Sequence, residues 1–192
     1  YEHRYFGSIR WEITGKSKGQ IKGGYGKRRN DYPSMIDTDA AVSDITSDNW
    51  LAAIQFDHNL TEKINLTLNA YRRYDEVLEH RYNYRDPDEF YADYILAHFG
   101  GLKFSWKIFS DATLSLDASL FHDRFKGSRQ QNREGFPEER KDLDFAFSPS
   151  LSIDLFEHLT INGSYIYNDH DSNYPAHDYV DHTFFIRASL FI

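Results

Sequence analysis

A chain of 192 residues with net charge −8 and no cysteine has room for one domain or part of a larger one. The absent cysteines exclude disulfide frameworks and cysteine-based zinc sites, and the acidic balance argues against a nucleic-acid partner. Mean hydropathy of −0.68 and the lack of any run of roughly 18 apolar residues exclude a helical membrane protein, but not one that crosses with strands.

The predicted elements are strands throughout, because apolar and polar residues alternate with period two and helical periodicity is nearly absent. The first, 3–14, sets Ile9, Trp11 and Ile13 against Arg4 and Arg10. A short turn, Gly15-Lys16-Ser17, leads to strand 18–30, with Ile21 and Tyr25 against Lys18, Lys22 and Arg28. The Thr14-Gly15-Lys16-Ser17 run is similar to a phosphate loop only in composition. Arg10 stands where the first glycine belongs and no helix follows, so it is read as a β-turn. A long segment, 31–47, precedes strand 48–58, with Trp50, Ile54 and Phe56 in one phase.

Strand 63–75 contains Ile64-Asn65-Leu66-Thr67-Leu68-Asn69-Ala70, in which every even position is apolar. After the long segment 76–89, strand 90–106 carries Leu102 and Phe104, and strand 111–124 repeats the alternation with Leu114 and Leu116 against Asp117 and Asp123. His98 and His122 fall in the apolar phase with no serine partner, so no catalytic triad is expected and the chain is not read as an enzyme. Beyond 125–139, strand 140–155 sets Phe145 and Leu151 against Asp142, Asp144 and Asp154. Strand 159–170 has Ile161 and Tyr165 against Asn162, and strand 179–192 has Phe184, Ile186, Ala188 and Leu190 in phase.

Connections alternate strictly between short and long, and the long ones hold every proline except Pro149. Short turns on one side and long loops on the other are the arrangement of an outer-membrane barrel. The fold expected is therefore all-β: an antiparallel up-and-down transmembrane β-barrel of about nine strands, one domain over 1–192. Ile192 would then lie on the periplasmic side and Tyr1 at the cell surface. Such barrels normally have an even strand count, so the chain is expected to be truncated at its N-terminus and to need further strands or a second chain for closure.

In this reading the apolar phase faces outer-membrane lipid. Trp11, Phe56, Phe104, Trp106 and Phe156 form one interfacial girdle, and Tyr25, Trp50, Tyr74, Tyr94 and Tyr167 the other. The polar phase lines the pore: basic Arg4, Arg10, Lys18, Lys22 and Arg28 on the early strands, acidic Asp117, Asp123, Asp142, Asp144 and Asp154 on the later ones. These charges either create a transverse field or pair across the barrel and fill it. Asn65, Asn69 and Asn162 add neutral donors and acceptors suited to sugar hydroxyls. No cofactor or metal is expected. Asp169, Asp171 and Asn173 begin like a calcium loop, but Tyr174 and Val180 stand where glycine and glutamate belong. His170, His177 and His182 lie close in sequence to the same acids.

Several segments resemble one family. The stretch 11–25, with its Thr14-Gly15-Lys16-Ser17 turn and its Gly24-Tyr25 strand, is similar to a strand–turn–strand of outer-membrane β-barrel porins encoded with exopolysaccharide-synthesis genes. Tyr165-Ile166-Tyr167-Asn168-Asp169-His170-Asp171-Ser172-Asn173 resembles that family's penultimate strand and loop, and Asp178-Tyr179-Val180-Asp181-His182-Thr183 its closing pattern. The likeness covers the chain as a C-terminal half. One departure is that Phe191 is out of phase with the apolar face, where such barrels usually end on an in-phase aromatic. The resemblance implies a porin-like channel that exports extracellular polysaccharide, with periplasmic export partners. A general diffusion porin or a structural barrel is the alternative that the residue pattern supports equally.

Overall fold

The computed structural model describes residues 2–13, 15–30, 45–75, 94–126, 140–156, 158–173 and 177–190. They form nine strands: β1 (Glu2–Ile13), β2 (Ser17–Asn30), β3 (Ile45–Asn59), β4 (Ile64–Asp75), β5 (Tyr94–Lys107), β6 (Ala112–Lys126), β7 (Lys141–Phe156), β8 (Leu159–Ser172) and β9 (Tyr179–Leu190). Each pairs antiparallel with its sequence neighbours in a single sheet of order β1 to β9. Among the described residues no helix is long and apolar enough to cross a membrane.

The predicted strands all form, and several reach one to three residues past a predicted end. β6 continues to Lys126 and β8 to Ser172 although Arg124 and Asp171 break the pattern. Ladder partners supply the reason: Arg124 stands opposite Lys141 and Asp142 opposite Ser172, and backbone pairing is indifferent to side-chain polarity. The expected positions 90–93 and 191–192 lie outside the described residues.

Gly15, at φ 63°, closes the β1–β2 hairpin in the left-handed region that a side chain disfavours. Pro149, lacking an N–H, sits inside β7. It keeps its place opposite Leu116, but the β7–β8 ladder is interrupted between Phe147↔Tyr167 and Ser150↔Ser164.

The strands are 12 to 16 residues long, well above the roughly 5–6 typical of soluble sheets. Their register climbs steadily. The ladder row through Ile9, Ile21, Ile54, Ala70, Gly100, Leu120, Phe145, Asp169 and Val180 begins four residues from the end of β1 and finishes ten residues from the end of β9. A stagger of one sense is what tilted strands require to wrap into a barrel.

Opposed residues share a face, so one row assigns both faces of the sheet. Ile9, Trp11, Ile21, Ile54, Phe56, Leu68, Leu102, Leu116, Phe145, Leu151, Phe184 and Leu190 fall on one side, here the apolar face, and many of them are exposed. Among the described residues no second sheet packs against it. Buried side chains are few: Leu51, Tyr74, Tyr94 and Leu96 form one small cluster at the end of the sheet that leads into 76–93.

That cluster corrects one expectation. Tyr74 is 1% and Tyr94 8% exposed, so they are core residues rather than an interfacial girdle. The β3–β4 ladder stops at Ala52↔Arg72. Beyond it Tyr74 packs edge-on against Tyr94 at 5.2 Å and reaches the space over Gly26.

The sheet is open. β1 and β9 each have one laddered neighbour and do not contact each other. Both are exposed on their two faces, with Phe6 and Phe185 on the polar side and Ile9 and Ile186 on the other.

Candidate functional site

The candidate site is the polar face, which the ladders carry from β1 to β9. All thirteen residues predicted to line a pore occupy its register positions. Arg10 stands opposite Gln20, Lys18 opposite Glu12 and Lys22 opposite Ser8; Arg4 pairs with Gly26 and Arg28 with Glu2. Asn69 continues the Arg10 row through Gln55, and Asn65 pairs with Asn59. Asp117 is opposite Lys103 and Ser148, Asp123 opposite Asp142, Asp144 opposite His170, Asp154 opposite Thr160 and Asn162 opposite Ser152. The basic set thus occupies β1–β2 and the acidic set β6–β7, with β3–β5 between them.

Local contacts divide these residues. Asp142 is 3% exposed and held by Arg140, with contacts of 2.6 to 3.0 Å, and by the Ser172 hydroxyl at 2.6 Å. It ties the upper ends of β7 and β8 together. Asp144 is bonded to His170 Nδ1, whose Nε2 lies 3.6 Å from Asp142. Asp154 accepts a hydrogen bond from Thr160 at 2.7 Å, and Asn65 donates to Asn59 at 2.9 Å. Asp117 lies 3.6 Å from Lys103 with both groups half exposed, a contact of small energetic value. Asp123 Oδ1 is buried without a hydrogen-bond partner among the described residues, which normally costs a buried acceptor about 1–3 kcal/mol. Asn69 and Asp117 border a 270 Å³ hollow with Thr67, Lys103, Ser119 and Ser148. Arg10 and Lys18 border another of 530 Å³ with Gln20, Gln55 and Asp57.

Sequence reasoning missed the rings on this face. One ladder row reads Tyr71, Phe99, Phe121, Asp144, His170, Tyr179 across β4 to β9. Tyr71 and Phe99 stack at 4.9 Å, Phe99 and Phe121 meet at 4.6 Å, and His170 stacks on Tyr179 at 4.9 Å. Phe99 leans along its strand over Gly101, where a Cβ would come within 2.6 Å of its Cζ. The result is a strip of ring surface, interrupted at Asp144, set among carboxylates, amides and hydroxyls. Counting parity from Asn69 and Asp117 would have found these rings.

His170, His182 and the acids near them are spread over both faces. His170 is on the polar face and His182 on the apolar one, where it bonds the Tyr165 hydroxyl at 2.8 Å. Asp169 and Asp171 lie in the extended strand β8, and Asn173 accepts from the Lys141 amide at 2.8 Å. Among the described residues no group of three acidic or histidine side chains could hold a metal. His98 and His122 share the apolar face as expected, and they stack on each other at 5.5 Å.

The chain matches no protein-family model, no curated protein and no solved structure. Its functional reading therefore rests on its own residues.

Proposed function

We propose that the chain is part of an outer-membrane β-barrel whose polar face lines a channel for the export of an extracellular polysaccharide. In this reading the apolar face takes lipid, the short turns are periplasmic and the long segments extracellular. Strands from elsewhere in the protein or from a second chain pair with β1 and β9, because unpaired backbone in a bilayer costs several kcal/mol per group. Periplasmic export partners belong to the same proposal, as does the resemblance to porins encoded with exopolysaccharide-synthesis genes.

The observation that carries the polysaccharide is the ring strip Tyr71–Phe99–Phe121 within a hydrophilic face. A pyranose presents apolar C–H faces and a hydroxyl rim. Rings take the first by hydrophobic contact, and Asn69, Ser119, Asp117 and Asp123 beside them take the second. A general diffusion porin has no use for rings in its water path. The test is single-channel recording in planar bilayers with added oligosaccharides from secreted polymer. Current blocks in the native protein, shortened in Tyr71→Ala/Phe99→Ala/Phe121→Ala at unchanged open conductance, are expected. Equal or absent blocks in both proteins would leave a diffusion porin.

A further inference from the structure

Small residues lower the apolar face over β4, β5 and β6. A groove of about 610 Å³ runs over Ala70, Gly100 and Ala118, walled by Leu68, Leu102 and Leu120. Its floor is low because these three residues are small. Beyond the row of Ala70, Gly100 and Leu120, toward the long segments, the next row of this face is Arg72, His98 and His122. The row beyond brings Arg124 opposite Lys141. Arg72 and the two histidines therefore stand at one end of an apolar groove.

The cap is built rather than incidental. Arg72 Nε donates to His98 Nε2 at 3.1 Å, which leaves Nδ1 of His98 to donate to the His122 carbonyl at 3.2 Å. Arg72 also donates to the Trp50 carbonyl and, at 2.7 Å, to Asn49 Oδ1, while its guanidinium covers the Trp50 ring at 4.0 Å. A guanidinium has five N–H groups. Three are used in these bonds, and among the described residues two remain for an external acceptor.

We infer that this face binds a phosphorylated lipid. The phosphate sits at Arg72, with the histidine pair beside it, and an acyl chain lies in the groove over Gly100. The inference rests on the membrane reading above and adds a ligand on the opposite side of the sheet. Charge complementarity selects the headgroup: a lone cation at hydrocarbon depth costs about 2–4 kcal/mol, falling toward zero at the interface, so this cluster belongs at headgroup level. Planar, forked donors favour phosphate geometry. The groove directly below selects an amphiphile over a free anion.

Trp50 reports on the site directly. The full chain, carrying Trp11→Phe and Trp106→Phe so that Trp50 alone emits, is folded into phosphatidylcholine vesicles. These contain a minor fraction of brominated phosphatidic acid or of brominated phosphatidylcholine. Severalfold stronger quenching by the phosphatidic acid is expected. Arg72→Gln and Arg72→Lys should reduce that preference. Gly100→Leu, whose side chain meets nothing within 4 Å at Cβ, should also reduce it by filling the groove without disturbing the strand. Quenching by both lipids equally, with the protein inserted, overturns this inference and leaves the membrane reading intact. No quenching by either lipid removes the membrane reading and this inference with it. Displacement of the phosphatidic acid by inorganic phosphate alone would assign the site to a free anion and overturn the lipid.

Discussion

Leu68 and Asn69 are adjacent in β4 yet belong to different environments. Leu68 stands opposite Phe56 and Leu102 on the apolar face, 40% exposed, and Asn69 stands opposite Gln55 and Gly101. If the apolar face takes lipid as proposed, Leu68→Arg is expected to destabilise the folded protein in bilayers by about 2–4 kcal/mol, because a cation would then enter hydrocarbon. Asn69→Arg should cost far less, since it adds a charge to a face that already holds Arg10 in the same row. Folding titrations in lipid vesicles compare the two, and equal losses would show that the faces are reversed or that neither meets lipid. Gly26 offers a second residue-scale test. A Cβ there would lie 2.9 Å from Leu51 Cδ1 and 3.2 Å from Tyr74 Cε2, both in the buried cluster. Gly26→Ala should therefore lose about 1–3 kcal/mol through overpacking, measured by the same titration. Gly163→Ala, with open space around its Cβ, should lose much less.

Among the strands, β7 and β8 show how polar side chains extend a ladder past its hydrophobic signal. Asp142 and Ser172 close the upper end, and Arg140 neutralises the carboxylate while covering the Phe125 ring at 4.5 Å. Arg140→Ala leaves a nearly buried aspartate without its cation, a loss of about 3–5 kcal/mol where such pairs are broken one-sidedly. Arg140→Met combined with Asp142→Leu should recover most of that stability, because replacing both partners with apolar groups removes the uncompensated charge. Urea unfolding of the three proteins tests this, and a double variant as unstable as the single would refute the role of the pair. The same strands mark where sequence reading stopped. The reading of β8 ends at His170, and its continuation to Ser172 is decided by its partners on β7 rather than by its own residues.

For the molecule as a whole, the two unpaired edges matter most. β1 and β9 expose backbone along one side and apolar side chains on both faces. Exposed flat edges pair with whatever strand is offered. This chain alone, refolded in detergent, is therefore expected to associate through β1 and β9 or to aggregate, and not to give a monomeric closed pore. Cysteines placed at Ile9 and Ile186 should crosslink between chains in such material. Efficient crosslinking within one chain, together with monomeric conductance, would mean that the nine strands close on themselves.

The sequence alone determined that the protein is a sheet of sequential antiparallel strands and which residues share each face. Both follow from a period of two, which is written locally in each strand and needs no knowledge of its neighbours. Every pore-lining position named from the sequence accordingly falls on one face. The tertiary structure decided the rest. Register joins residues such as Tyr71, Phe99 and Phe121, far apart in the chain, into one row. It also sets Arg72 beside His98 above the Gly100 groove and brings Asp142 to Ser172. These alignments depend on how far each strand slides against the next. That slide is set by turns, by the irregularity between Asp154 and Phe156 and by cross-strand packing together, and no single strand carries it.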